Sequence, residues 1–318
     1  MTLADYVRIL GRGPSRSRDL TQDEAHAAMT LILSGDAAPE AIGALLMLLR
    51  MKGETAAEIA GFAQAARAGV GSLPQVDLDW PSYAAGRTRG LPYFLLAARL
   101  VAMAGHRVLL HGWNGPHGAV RDGLAVAGIP VADSIADSQG LLDRHGIAYL
   151  PLEGLSPGLV HLLGLRQVLG LRSCVNTVCR MLNPAGARAS VQGVFHPSYR
   201  LLQADAAEVM GWQALSVIKG GGGEFERHPG KAIIAFGLRD GAGWEATLPP
   251  GMDITRRLAD GCQPVSALAD LWQGRRRDPF DEAIVTGTAA LALDTLGTAD
   301  PETEAAALWA RHRRVQAA

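Results

Sequence analysis

The stretch LTQDEAHAAMTLILSGDAAPEAIGALLMLLRMKGETAAEIAGFAQAAR, Leu20 to Arg67, decides the fold. Thr21 stands just before a periodic apolar run, and Glu24 follows it by three positions. That spacing is a capping box, in which the hydroxyl and the carboxylate each satisfy a backbone N–H at the helix start. The run stops at Gly35, the residue type that most easily turns the chain out of a helix. Pro39 opens a second helix, apolar along its whole length, which stops at Gly53. A third helix, ETAAEIAGFAQAAR, places Ile59, Phe62 and Ala66 on one face. Gly43 and Ala44 leave room for a close helix neighbour. The reading is a helical domain over residues 1–75, its middle helix either a dimer surface or the core of a monomer.

Beyond Arg67 the texture changes. GVGSLPQVDLDWP reads as a linker entering a strand. LPYFLLAARLVAMAG predicts a buried helix, HRVLLHG a strand, GAVRDGLAVAG a helix and IAYLPLEG a strand with a turn. ASVQGVFHP, ALSVIKGGGGEFE, KAIIAFGL and WEATLPP add strands, and the C-terminal stretches DPFDEAIVTGTAALALDTLG and PETEAAALWARHRR read as helices. Strands alternating with helices imply a mostly parallel mixed sheet flanked by helices, here an α/β domain over residues 76–318. Helices from about 155–188 are expected to complete the helical domain.

The composition bounds the function classes. Of 318 residues, 48% are hydrophobic and 19% charged, which suits a globular chain. The opening MTLADYVRIL lacks the basic-then-apolar pattern of a secretion signal, and the three cysteines form no CxxC pair, so a reduced, cytoplasmic chain is expected. The net charge of −1 conceals a polarity along the chain: residues 1–18 carry +3, 19–79 carry −6, 86–200 carry +6 and 201–318 carry −4. All eleven bases between 86 and 200 are arginine, whose forked side chain suits phosphate and carboxylate. His111 and His117 lack a third ligand at metal-site spacing.

The Leu20–Arg67 stretch resembles the N-terminal helical domain of anthranilate phosphoribosyltransferase and its glycosyltransferase family 3 relatives, a group that includes the pyrimidine nucleoside phosphorylases. RQVLGLRSCVNTVCRMLNPAGA, from Arg166, is similar to that family's R-x-x-L-G-x-R-T segment, and DEAIVTGTAALAL, from Asp281, is a third match. The resemblance implies the nucleoside phosphorylase/phosphoribosyltransferase fold: a small all-helical domain and a larger α/β domain. It also implies a homodimer joined through the helical domain, and a role for Arg166 in contacting the carboxylate of an aromatic acceptor.

The family's phosphate motifs are altered. Where the enzymes carry a GTGGD loop, this chain has AAGRTRG, with Arg87 and Arg89 between Gly86 and Gly90. The N-x-S-T run is replaced by Leu91, Pro92, Tyr93 and Phe94. The K-H-G-N-R-x-x-S-S-K loop is shortened to LHGWNGPHG. The adjacent Asp-Glu pair that holds Mg²⁺ in the enzymes faces Glu224 and Glu226, which are not adjacent. With these departures the chain resembles the YbiB branch, whose members are regarded as nucleic-acid binders. The expectation is a sequence-nonspecific DNA- or RNA-binding protein without catalytic residues or cofactor, contacting phosphate through Arg87, Arg89, Arg166, Arg172, Lys219, Arg275 and Arg276. For each of these the plainer reading is a solvated surface cation. The alternative is a phosphoribosyltransferase of the anthranilate type with an altered phosphate site, for which Mg²⁺ would be required.

Overall fold

The computed structural model describes residues 1–13, 15–84, 90–113, 118–258 and 263–317. Four helices come first: α1 (Leu3–Gly11), α2 (Gln22–Leu33), α3 (Pro39–Lys52) and α4 (Ala56–Ala68). The caps follow the local chemistry. Thr21 Oγ1 accepts the Glu24 N–H at 3.2 Å and Glu24 Oε2 accepts the Thr21 N–H at 2.9 Å. Thr55 and Glu58 repeat the arrangement at the start of α4. Glu58 is fully buried, yet all its charge is met: Oε1 accepts the Leu20 N–H at 2.9 Å and Oε2 takes the Lys52 ammonium at 2.9 Å. Gly61 lets α2 and α4 touch, because a Cβ there would lie 2.2 Å from the Gln22 carbonyl oxygen.

The α/β part runs β1 (Leu78–Ser82), α5 (Phe94–Met103), β2 (Val108–Gly112), α6 (Ala119–Ala127), α7 (Ile135–His145) and β3 (Ile147–Pro151). Short helices α8 (Leu152–Leu155), α9 (Pro157–Gly164), α10 (Arg166–Leu169) and α11 (Val175–Arg180) return the chain to the helical unit, where α11 packs on α4 and α9. Then follow β4 (Ala189–Val194), α12 (Tyr199–Val209), β5 (Ala214–Lys219), β6 (Ile233–Arg239), β7 (Ala242–Leu248), α13 (Ser266–Trp272), α14 (Pro279–Thr295) and α15 (Pro301–Ala317). No described helix is long and apolar enough to cross a membrane.

The seven strands form one sheet in the order β3-β2-β1-β4-β5-β6-β7, parallel through β5 and antiparallel in the β6–β7 hairpin. The hairpin turns at Asp240 and Gly241, both with positive φ, as a two-residue turn between right-twisted strands requires. Alternate residues of each strand face opposite sides. In β2, Val108 and Leu110 join the core beneath α5 and α14, while Leu109 joins the core shared with the helical unit. Seven of the ten residues of α5 are buried, as the apolar run FLLAARLVAM predicts.

Strand order reverses between β1 and β4, the point where open α/β sheets bind ligands beyond their carboxyl ends. The pairing shows the opening directly. β1 and β2 pair over five residues, but β1 and β4 pair only at Leu78–Ala189 and Asp79–Ser190. Past that point the two strands diverge, and whatever fills the crevice defines the site.

Candidate functional site

Two structures meet at this edge. The first is a buried polar chain. Tyr83 Oη lies 2.8 Å from His111 Nδ1, His111 Nε2 lies 3.0 Å from Asp79 Oδ1, and Ser190 Oγ donates to Asp79 Oδ2 at 2.7 Å. A neutral imidazole satisfies the set if Nε2–H donates to Asp79 and Nδ1 accepts from Tyr83. Burial pushes the Tyr83 phenol well above its ordinary range, so the hydroxyl stays a donor. The chain ties β1, β2 and β4 together beneath the crevice.

In the crevice itself stand Glu224 and Glu226, each 1% exposed. Glu224 Oε1 accepts from Ser82 Oγ at 3.0 Å and from the Ala84 N–H at 3.1 Å. Glu226 Oε2 accepts the Phe94 N–H at 3.1 Å, at the first residue of α5. The neighbouring glycines serve this closeness. A Cβ on Gly193 would sit 2.0 Å from the Glu224 carbonyl carbon, and one on Gly220 would sit 1.6 Å from its oxygen. At Gly220 the loop therefore packs on the protein's own backbone. Lys219 itself ends β5 and is exposed.

The second structure is a cavity between α3, α11 and α12, lined by Arg50, Arg172, Asn176, Arg180, Phe195, His196 and Tyr199 among others. It encloses about 90 Å³ and widens to about 540 Å³ with its mouth included. The enclosed part is smaller than the roughly 150 Å³ that holds a benzene ring, so an aromatic ligand would fill it and extend into the mouth. Arg50 donates to Tyr199 Oη at 3.2 Å, and Arg180 donates to the Asn176 carbonyl at 3.3 Å. Burial lowers the pKa of both Arg172 and Arg180, and the adjacent Arg166 adds to the effect at Arg172. Guanidinium groups remain charged even so. Burial also raises the pKa of Glu54, whose Oε2 lies 3.5 Å from Tyr199 Oη. Three cations thus surround a small hollow with polar and aromatic walls.

Among the described residues the predicted phosphate contacts lie on different elements. Arg87 and Arg89 lie outside the described residues, as do Asn114, His117 and Cys262. Arg166 is exposed at the start of α10 and does not line the cavity; Arg172, six residues on, does. Arg275 pairs with Asp270 at 2.6 Å. Arg276 binds Asp278 at 3.0 Å and contacts Asp281. Arg275 and Arg276 are thus each paired with acids brought up by α13 and α14. Sequence reasoning did not assign Arg50 or Tyr199 to any site; they come from distant helices, and no local spacing joins them.

Among the described residues no group of three or more His, Cys, Asp or Glu side chains is placed to hold a metal ion. Magnesium takes six oxygens at tight distances and keeps several waters. Glu224 and Glu226 each commit one carboxylate oxygen to a protein N–H.

Comparison with known proteins bears on the two functional readings. Residues 4–69 match the helical bundle domain of a glycosyl transferase family, and residues 94–310 match its a/b domain. The anthranilate phosphoribosyltransferase of Photobacterium profundum is 30% identical over 284 residues, covering 86% of this chain and 84% of its own; that of Geobacillus kaustophilus is 28% identical over 86% and 80%. In structure, anthranilate phosphoribosyltransferase from Thermus thermophilus superposes with a TM-score of 0.78 at 23% identity over all of both chains. The enzyme from Saccharomyces cerevisiae, solved in complex with PRPP and Mg, gives 0.80 at 17% over 99% of this chain and 94% of its own. Relatives of this kind, matched along most of the chain, overturn the expectation of a nucleic-acid-binding protein. The fold expectation stands: a helical N-terminal domain and a larger α/β domain with a mostly parallel sheet. The chain belongs to the glycosyl transferase family of the anthranilate phosphoribosyltransferases.

Proposed function

We propose that the protein is a phosphoribosyltransferase of the anthranilate type, acting on a small aromatic carboxylic acid, with a phosphate site that departs from the family pattern. The observation that carries this reading is the cavity in which Arg50, Arg172 and Arg180 surround a hollow edged by Phe195 and Tyr199. A benzoate-like acid has one flat apolar body and one forked anion, and the cavity offers a counterpart to each. Guanidinium forks bind carboxylate through paired, charge-assisted hydrogen bonds. Partial burial removes competing water and strengthens that attraction. We assign the carboxylate-holding role to Arg172, with Arg180 beneath it, in place of Arg166. Holding the acid fixes the direction of its nucleophilic substituent, and such positioning is itself a large part of catalysis in a displacement at an anomeric carbon. Magnesium accompanies the phosphoribosyl donor in the yeast relative. Here the glutamate pair is turned to backbone donors, so no step is assigned to a metal on it.

Calorimetric titration with anthranilate tests the acceptor half, and consumption of anthranilate fluorescence in the presence of phosphoribosyl pyrophosphate tests transfer. Saturable binding and turnover are expected. Absence of binding by anthranilate and by benzoate analogues refutes the reading.

A further inference from the structure

A helix start draws anions because its first N–H groups point outward and the helix dipole is positive there. At the switch-point edge of the sheet that helix is α5, and in this chain its donors are spent. Pro92 has no N–H. The Tyr93 N–H donates to the Leu91 carbonyl at 3.0 Å, the Leu95 N–H to Pro92 at 3.1 Å and the Leu96 N–H to Tyr93 at 3.0 Å. The remaining first-turn donor, Phe94, goes to Glu226 Oε2 at 3.1 Å. That carboxylate is buried, and it arrives from 132 residues away in sequence. Its neighbour Glu224 closes the end of β1 in the same manner, through Ser82 and Ala84. The loop that delivers both is pressed so tightly against Gly193 and Gly220 that no Cβ fits at either position.

We infer that Glu226 is an internal anion that competes with a donor's phosphate for the start of α5, and that it serves this closure in place of binding a divalent cation. A phosphate reaches the Phe94 N–H only when Glu226 leaves it. The apparent affinity for phosphate is then the intrinsic affinity multiplied by the fraction of molecules in which the carboxylate has left. Glu226 therefore sets which donors the site admits: a chelated diphosphate meets a negative group where the unmodified helix start would offer a positive one. This rests on the transferase reading for the direction from which a donor enters, and it specifies the donor end of that site.

The test uses pyrophosphate as the probe, with and without Mg²⁺, on the full chain and on Glu226→Gln, which keeps the size and removes the charge. Calorimetry should show weak, magnesium-independent binding to the wild type and about tenfold tighter binding to E226Q, the scale of a charge effect at a helix end. Wild-type protein that binds pyrophosphate only with Mg²⁺, together with loss of that binding in E226Q, overturns the inference, since it would make Glu226 a metal ligand. An E226Q protein that melts like the wild type yet gains no affinity overturns it as well. Should E226Q fail to fold, melting of the wild type decides: a rise with Mg²⁺ alone overturns the inference, and an unchanged midpoint upholds it. Anthranilate binding by the wild type is measured separately without pyrophosphate, so failure of the acceptor reading and failure of this one are distinguishable.

Discussion

Replacing Arg172 with alanine gives the sharpest test of the acceptor site. Arg172 is half-buried on the wall of the cavity, with Arg180 deeper and Arg166 outside. A hydrogen bond to a charged group contributes about 1.5–3 kcal/mol, and every 1.4 kcal/mol is tenfold in affinity, so R172A should weaken anthranilate binding by about 10- to 150-fold. Arg172→Lys keeps the charge and loses the planar fork, and should fall between the wild type and the alanine variant. Arg166→Ala removes an exposed charge that acts through solvent, where such interactions contribute about 1 kcal/mol or less, or at most about fivefold. Calorimetry at constant ionic strength measures all three. In turnover, R172A should raise KM more than it lowers kcat, because the carboxylate is held equally in the ground and transition states. If R166A costs more affinity than R172A, or if R172A leaves affinity unchanged, the acid is not held where we place it.

Other consequences follow from the packing and the charges. Gly61→Ala puts a Cβ 2.2 Å from the Gln22 oxygen and 2.9 Å from Ala25 Cβ, so α2 and α4 must separate; denaturant unfolding should show a loss of about 1–3 kcal/mol, and an unaltered midpoint would show that the helices shift freely. The hydrogen bond from Arg18 and the backbone N–H of Thr21 pull the Glu24 carboxyl down to about 2. Because the folded-state value lies below the ordinary one, the stability it contributes is complete above pH 5 or so and is lost as pH falls toward 2. Arg18→Ala should flatten that acid limb, and a limb as steep as the wild type's would count against the pair. Burial pushes the Cys179 thiol up to about 12 and raises that of Cys174 as well. Iodoacetamide at pH 8 followed by peptide mass mapping should find both unmodified in the native protein, and rapid labelling would mean that the α11 region opens.

Which features were legible in the sequence depends on how far apart their parts lie. The capping box at Thr21 is a pattern within four consecutive residues, and the structure forms it. The seven buried residues of α5 belong to one continuous apolar run. Charge was harder to read. Arg275 to Arg277 look basic as a string, but Asp270 and Asp278 lie within a few residues, and the turn between α13 and α14 folds them onto the arginines. The AAGRTRG loop and the missing Asp-Glu pair pointed away from an enzyme because motifs record which residues are absent and not what replaces them.

The sequence by itself determined the helical N-terminal unit, the alternation that builds a mostly parallel sheet, and the departure of the phosphate motifs from the family pattern. All of these are written in local spacing or in residue identity. Only the tertiary structure decided that Arg50, Arg172 and Arg180 surround one cavity, that His111 sits between Asp79 and Tyr83, and that Glu226 occupies the start of α5. Those contacts join residues separated by up to 132 positions. The last of them lies where β1 and β4 part after two paired residues. A buried carboxylate is tolerable only beside a donor, and the Phe94 N–H becomes that donor for Glu226 when the sheet brings β1, α5 and the loop after β5 to the same edge.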